Sequence, residues 1–294
     1  MIRRRRITTR WTVGAILALT WLVAVTVMTT VPSLFPFLRG ADEKVRIAGK
    51  LQSNYKLGPS WAAWWGVDRS SFDIFARCIH YARNSLLVGV SATAIGLTVG
   101  GALGIAAGYF RGWVDRVVSI IIDCLLSIPA LVLAIMLVSR LNDVRADLPW
   151  LGWATRRWQV ILALSVLAVA PLARITRAQT MALREREFVL AARSLGASAP
   201  RVIVKEILPN LVPTMVTVAT TGLGLLIAAE GTLAFLGVGL GESWGVLIEA
   251  NRRRLDKAWW AAVFPCLMLF VTVMSFNVLG DRLAKRFDIR EAGV

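Results

Sequence analysis

Hydrophobic positions in this chain come in long unbroken blocks rather than in alternation. Six stretches approach the length of a membrane-crossing helix: Trp11–Val31, Asn84–Gly108, Val117–Ser139, Trp158–Ile175, Leu211–Phe235 and Ala261–Gly280. About 20 apolar residues rising about 1.5 Å each cross a hydrocarbon core of about 30 Å. The fourth stretch is the shortest. The pattern predicts an all-α polytopic membrane protein with six transmembrane helices and both termini on the same side.

Composition agrees. The chain has 294 residues, 56% of them hydrophobic, and a mean hydropathy of +0.63, far too apolar for a soluble domain of this size. The net charge of +16 would fit nucleic acid in a soluble protein. In a polytopic chain it reads as basic loops at lipid headgroups, so a lipid membrane is the expected partner and nucleic acid is not. Lys and Arg divide almost evenly between the two sets of loops. The run Arg3-Arg4-Arg5-Arg6 with Arg10 directly precedes the first span and places the N-terminus in the cytosol. That span reads as an uncleaved anchor and not a signal peptide, because its apolar part is long and Thr29-Thr30-Val31-Pro32 lacks a small-x-small site. Cys78, Cys124 and Cys266 share no metal or redox spacing.

Within the spans, Gly96, Gly100, Gly104 and Gly108 recur every fourth residue and fall on one helix face. Such small-xxx-small spacing lets a second helix backbone approach closely, so these four are read as helix-packing residues. Pro129, Pro171 and Pro265 lie in spans three, four and six and are candidate kinks, fixed or moving. Asp123 and Glu230 are charged positions inside apolar spans. Each should face protein or water, as a satisfied structural carboxylate near a span end. Trp61, Trp64 and Trp65 cluster in a polar outer loop, as an interfacial belt or a substrate-contacting patch. The stretch Gly237–Trp260 predicts a short amphipathic helix against the outer face, with Arg252-Arg253-Arg254 beside it.

Enzyme chemistry finds no footing. The sequence has no G-x-x-x-x-G-K-[ST] phosphate loop, no H-E-x-x-H, no G-x-S-x-G, and a single histidine, His80, in the outer loop. No catalytic residue, metal site or cofactor is expected.

The segment Phe188–Pro209, FVLAARSLGASAPRVIVKEILP, is polar-flanked and lies between two spans. Phe188, Ala191, Ala192 and Leu195 recur at helical spacing. Gly196 suits the left-handed turn that closes a helix. Ser198 is an expected N-cap, with Pro200 in the next first turn. A second helix over Arg201–Leu208 is expected to end at Pro209 before Asn210 caps the fifth span. Composition alone allows two roles, a compact element that inserts into a soluble partner or an ordinary interfacial loop.

This segment resembles the "EAA" loop of binding-protein-dependent ABC importer permeases, E-A-A-x-x-x-G closed by a hydrophobic-x-L-P-like end. Ala191, Ala192, Gly196, Leu208 and Pro209 match; Leu190 replaces the leading acid, with Glu187 one turn earlier. Further segments resemble the dipeptide/oligopeptide permease C-subunit group, in order along the chain: Ala82-Arg83-Asn84-Ser85-Leu86, Ala107-Gly108-Tyr109, Gly112-x-x-Asp115, Asp123 with Pro129, Arg184–Phe188, Phe235-Leu236-Gly237, Ser243-Trp244-Gly245 and Phe276-Asn277-x-Leu279-Gly280-Asp281. Residues Gly66–Asp73 depart from that group's pattern, and Ile120 stands where it has an arginine.

The resemblance implies a permease subunit of an ATP-driven importer with a type I-like core. Residues 1–35 would be a cytosolic N-terminus and first helix, 36–83 an extracytoplasmic loop, 84–280 a five-helix core with the coupling loop 184–209, and 281–294 a cytosolic tail. The implied partners are a homologous second permease in a heterodimer, two cytosolic ABC ATPases that carry the ATP chemistry, and an extracytoplasmic solute-binding protein. The implied location is the inner membrane, and the implied cargo is a di- or oligopeptide or a related solute such as a nickel chelate or glutathione. The alternative is an ion-gradient-driven secondary transporter, which would need more ionisable groups at mid-membrane.

Overall fold

A computed structural model describes residues 12–47, 50–52, 57–148, 150 and 152–291. The arginine run before Trp11 lies outside the described residues, as does the extreme C-terminus. Eleven helices are distinguished among those described, and five are long and apolar enough to cross a membrane.

Helix α1, Val13–Thr30, packs on the last helix, where Trp21 Nε1 donates to Thr272 Oγ1 at 3.0 Å. The polar loop that follows is stapled to the start of α2, Ile74–Phe110. It carries one small hairpin, Arg46–Ile47 against Lys50–Leu51. Asp73 caps α2 by accepting from the backbone N–H groups of Phe75 and Ala76 at 2.8 and 3.3 Å. Burial pushes the Asp73 carboxyl above its usual range, against those two bonds and Arg39, which pull it down. One turn on, Arg77 bonds Asp68 at 3.1 Å and stacks over Phe72. These bonds explain why α2 begins at Ile74, inside the loop the sequence assigned to 36–83. The polar residues there satisfy the helix start and do not break it.

The third predicted span is not one helix. Gly112–Ser127 (α3) and Ala130–Asp147 (α4) meet at a bend of 98°. The cause is Pro129, which pushes Ile128 out of the helical region to φ −90°, ψ 130°. Counting the bent pair as one span restores six.

Helix α5, Arg156–Arg184, is longer than its apolar stretch, and α2 makes its most extensive packing with it. Beyond α5 come α6, Glu187–Ser194, and α7, Ala199–Val202. Helix α8, Leu208–Phe235, follows a single π-helical segment at Ile203–Ile207. The expected stop at Pro209 is therefore absent. Pro209 has no N–H, and its ring would press on the carbonyl four residues back. The π turn widens the backbone there, with the Leu208 N–H reaching back to the Ile203 carbonyl. Asn210 does not cap a new helix but donates to the Glu206 carbonyl at 2.6 Å.

Short helices α9, Trp244–Asn251, and α10, Leu255–Ala258, lead into α11, Trp260–Glu291, which continues past the predicted tail boundary at 280. The two largest apolar clusters among the described residues hold the bundle. One joins α2, α4, α5 and α8 through Val88, Val138, Leu164 and Leu233. The other joins α1, α2, α8, α9 and α11 through Val25, Ile79, Ile227, Trp244 and Met268.

Candidate functional site

The glycine face of α2 lies directly on α5. A Cβ at Gly100 would sit 2.7 Å from the Val169 carbonyl oxygen, at Gly104 2.6 Å from that of Ala173, and at Gly108 2.7 Å from that of Arg177. At Gly96 it would overlap Ala168. Only hydrogen fits between these two backbones, so α2 and α5 form a locked pair.

At one end of this pair stands the segment 184–209. Arg111 and Gly112 both have positive φ, 56° and 61°, where α2 turns sharply into α3. Arg111 reaches across to Glu185 at 2.9 Å, and Arg177 grips both oxygens of Asp115, one arm at 2.9 Å. Arg184 lies over the Tyr109 ring. Below α6 a small apolar core collects Tyr109, Val189, Val202, Ile207 and Leu211, with Ala192, Ala197 and Ala199 at its edge.

The turn itself is a Schellman closure. The Ala197 N–H bonds the Ala192 carbonyl at 3.1 Å and the Gly196 N–H bonds that of Arg193 at 3.0 Å. Gly196 takes φ +82°. Ser198 occupies the cap position of α7, but its hydroxyl makes no cap bond.

The helical face foreseen as uniformly apolar divides in two. Of its four residues Ala192 is half-buried against the bundle, beside the buried Val189, whereas Phe188, Ala191 and Leu195 are exposed, Leu195 to 88%; Leu190, outside that face, is exposed too. Glu187 is exposed in the first turn of α6, where a negative charge suits the helix dipole. Leu208 is half-buried and Pro209 exposed.

The other end of the bundle is aromatic. Trp65 stacks on Phe264 at 4.8 Å and meets Phe75 edge-on at 4.9 Å, while Trp64 stacks on Phe37 at 5.2 Å. The loop before α9 is held from three sides. Trp244 is fully buried and donates to the Cys78 carbonyl at 2.8 Å. Ser85 Oγ accepts from the Trp244 N–H at 3.4 Å and donates to Glu230 Oε2 on α8 at 3.0 Å. Asn84 donates to the Glu242 carbonyl at 2.8 Å. Glu230 faces protein, as expected, but it is not the satisfied carboxylate foreseen: it is wholly buried and its second oxygen has no hydrogen bond among the described residues. Asp123 is exposed on the side of α3, beside the exposed Ile120 and Ile121. Sequence reasoning missed the cations of this architecture, Arg157 and Arg177. Their partners, Asn84 and Asp115, lie 73 and 62 residues away, and no local pattern marks them.

A helical bundle with five or six apolar spans and a folded loop at each end is a multi-pass membrane protein. Residues 100–291 match the family described as binding-protein-dependent transport system inner membrane component. The chain is 37% identical over 243 residues to the glutathione transport system permease protein GsiD of Shigella dysenteriae, covering 82% of this chain and 76% of that one. It is 33% identical over 275 residues to the dipeptide transport system permease protein DppC of Alkalihalophilus pseudofirmus, covering 92% and 85%. Among solved structures, its fold is similar to that of the MetNI methionine ABC transporter in an inward-facing conformation, with TM-score 0.60 and 20% identity over 73% of this chain and 97% of that one. An amino acid ABC transporter aligns with TM-score 0.53 and 17% identity, covering 69% and 90%.

The chain belongs to the binding-protein-dependent transport system inner membrane component family. It is a permease subunit of an ABC importer, a non-enzymatic pore component whose ATPase is a separate subunit. Nothing in these matches supports the ion-gradient alternative.

Proposed function

We propose that this permease forms half of the translocation pathway for di- or oligopeptides or a related small solute, and that segment 184–209 is where the ATPases push. The observation that carries the reading is the divided helix α6. Its Val189 side is anchored in the bundle, while Phe188, Leu190, Ala191 and Leu195 stand exposed on an element closed by Gly196. An exposed apolar strip on a rigidly seated short helix fits a groove on a soluble partner. Leu190, in place of the leading acid, makes that contact apolar, with Glu187 the nearest charge at the helix start.

The segment then faces the cytosol, with both termini on its side, and the aromatic end faces a solute-binding protein. The unpartnered face of α3 and α4, with Ile120, Ile121, Leu126, Leu131 and Met136 exposed around Asp123, is where a homologous second permease pairs. Two ATPases complete the machine. The glutathione and dipeptide permeases among its relatives support the solute class.

Leu195→Glu and Ala191→Asp test the reading, because both side chains are exposed and their replacement leaves the core intact. Both variants should insert and be produced normally, while the ATPase subunits no longer co-purify and uptake falls to background. Normal assembly and uptake in both would overturn the coupling role.

A further inference from the structure

Helix α5 is 29 residues long, roughly 43 Å at 1.5 Å per residue. Its glycine contact with α2 runs over Gly96–Gly108 and stops about three turns short of Asn84. One end runs through Glu185 and Arg186 straight into α6. The other end carries Arg156, which bonds the loop 237–245 that leads into α9, and Arg157, which is tied to that loop through Asn84. Arg156 Nε donates to the Gly239 carbonyl at 3.3 Å. Arg157 Nη2 donates to Asn84 Oδ1 at 2.8 Å, and Asn84 Nδ2 passes the tie to the Glu242 carbonyl at 2.8 Å.

That loop has little slack. Gly239 lies so close to Ala234, and Gly245 to Gly231, that no Cβ fits between them. Trp244 is pinned by its indole N–H to Cys78. A displacement of α5 relative to α8 must therefore carry the loop with it or break the ties at residues 239 and 242.

We infer that Arg157 and Asn84 form a latch that carries the stroke of segment 184–209 along α5 to the loop 237–245, and so to the opposite mouth of the pathway. This rests on the coupling reading above. Arg157 is a positioning residue; it is exposed, so its side chain contributes little to packing, and its bond to Asn84 is what a substitution removes.

The test uses the complete importer reconstituted with its ATPases, second permease and binding protein. Arg157→Met keeps the length of the side chain and removes the donor; Arg157→Lys restores one. With Arg157→Met the ATPases should still co-purify, but uptake should drop roughly 5- to 10-fold, the size of a modest coupling between sites. ATP hydrolysis should lose its dependence on the binding protein. Arg157→Lys should recover most of both. Unchanged uptake with Arg157→Met overturns the latch, and so does a loss that merely tracks poor assembly. If the ATPases fail to co-purify with the unaltered chain, it is the coupling reading that fails.

Discussion

At the scale of single residues, the packing of this permease is set by where atoms are left out. Gly104 faces the Ala173 carbonyl, Thr176 and the Arg177 amide, all within 3 Å of where a Cβ would stand. These are backbone atoms and a β-branched side chain, neither of which can swing aside. Gly104→Ala should therefore force α2 and α5 apart. A loss of about 1–3 kcal/mol is typical for overpacking of this kind. Gly222, on α8, has nothing within 4 Å of its Cβ position, so Gly222→Ala should be neutral. Thermal unfolding of the two variants in detergent should separate them, and equal melting temperatures would contradict the locked-pair account. The glycine face was legible because its period of four survives in the sequence whatever lies opposite. The clamps of Arg177 on Asp115 and Arg157 on Asn84 were not legible, since their geometry exists only after α5 has packed between α2 and α3.

At the scale of elements, two prolines of similar sequence appearance behave in opposite ways, and the backbone around each explains why. Pro129 breaks its span because Ile128, fixed in the extended region, has no helical partner to restore it, and the chain turns by 98°. Pro209 interrupts nothing because a π turn just before it absorbs the missing bond. The sequence marks both positions as discontinuities but cannot say which kind, because the answer depends on carbonyls four and five residues back. Pro129→Ala frees Ile128 to become helical, and α3 and α4 should then straighten. Spin labels at the exposed positions 121 and 136 would report this as a shift toward longer distances. An unchanged distribution would mean that packing of α4 on α5, through Val138 and Leu164, holds the bend without the proline.

At the scale of the whole molecule, the bundle has two unlike ends, and the transport cycle depends on which faces the cytosol. One end is a small apolar core beneath a short helix; the other is an aromatic plate of Phe37, Trp64, Trp65, Phe75 and Phe264 above a tightly tied loop. The plate suits an interface where apolar rings meet polar headgroups or a protein surface, and the short helix suits a soluble motor. Lys and Arg divide almost evenly between the two sets of loops, so the assignment of sides rests on the arginine run before the first span and on the chemistry of the two ends. Single-cysteine labelling decides it. In a background with Cys124 and Cys266 replaced by serine, Trp61→Cys and Leu195→Cys each add a thiol at a highly exposed site, 97% and 88% in the parent residues. A membrane-impermeant maleimide applied to intact spheroplasts should label position 61 and leave position 195 untouched until the membrane is opened. The reverse pattern would put segment 184–209 outside, beyond the reach of any ATPase, and would remove the proposed motor from this end of the bundle altogether.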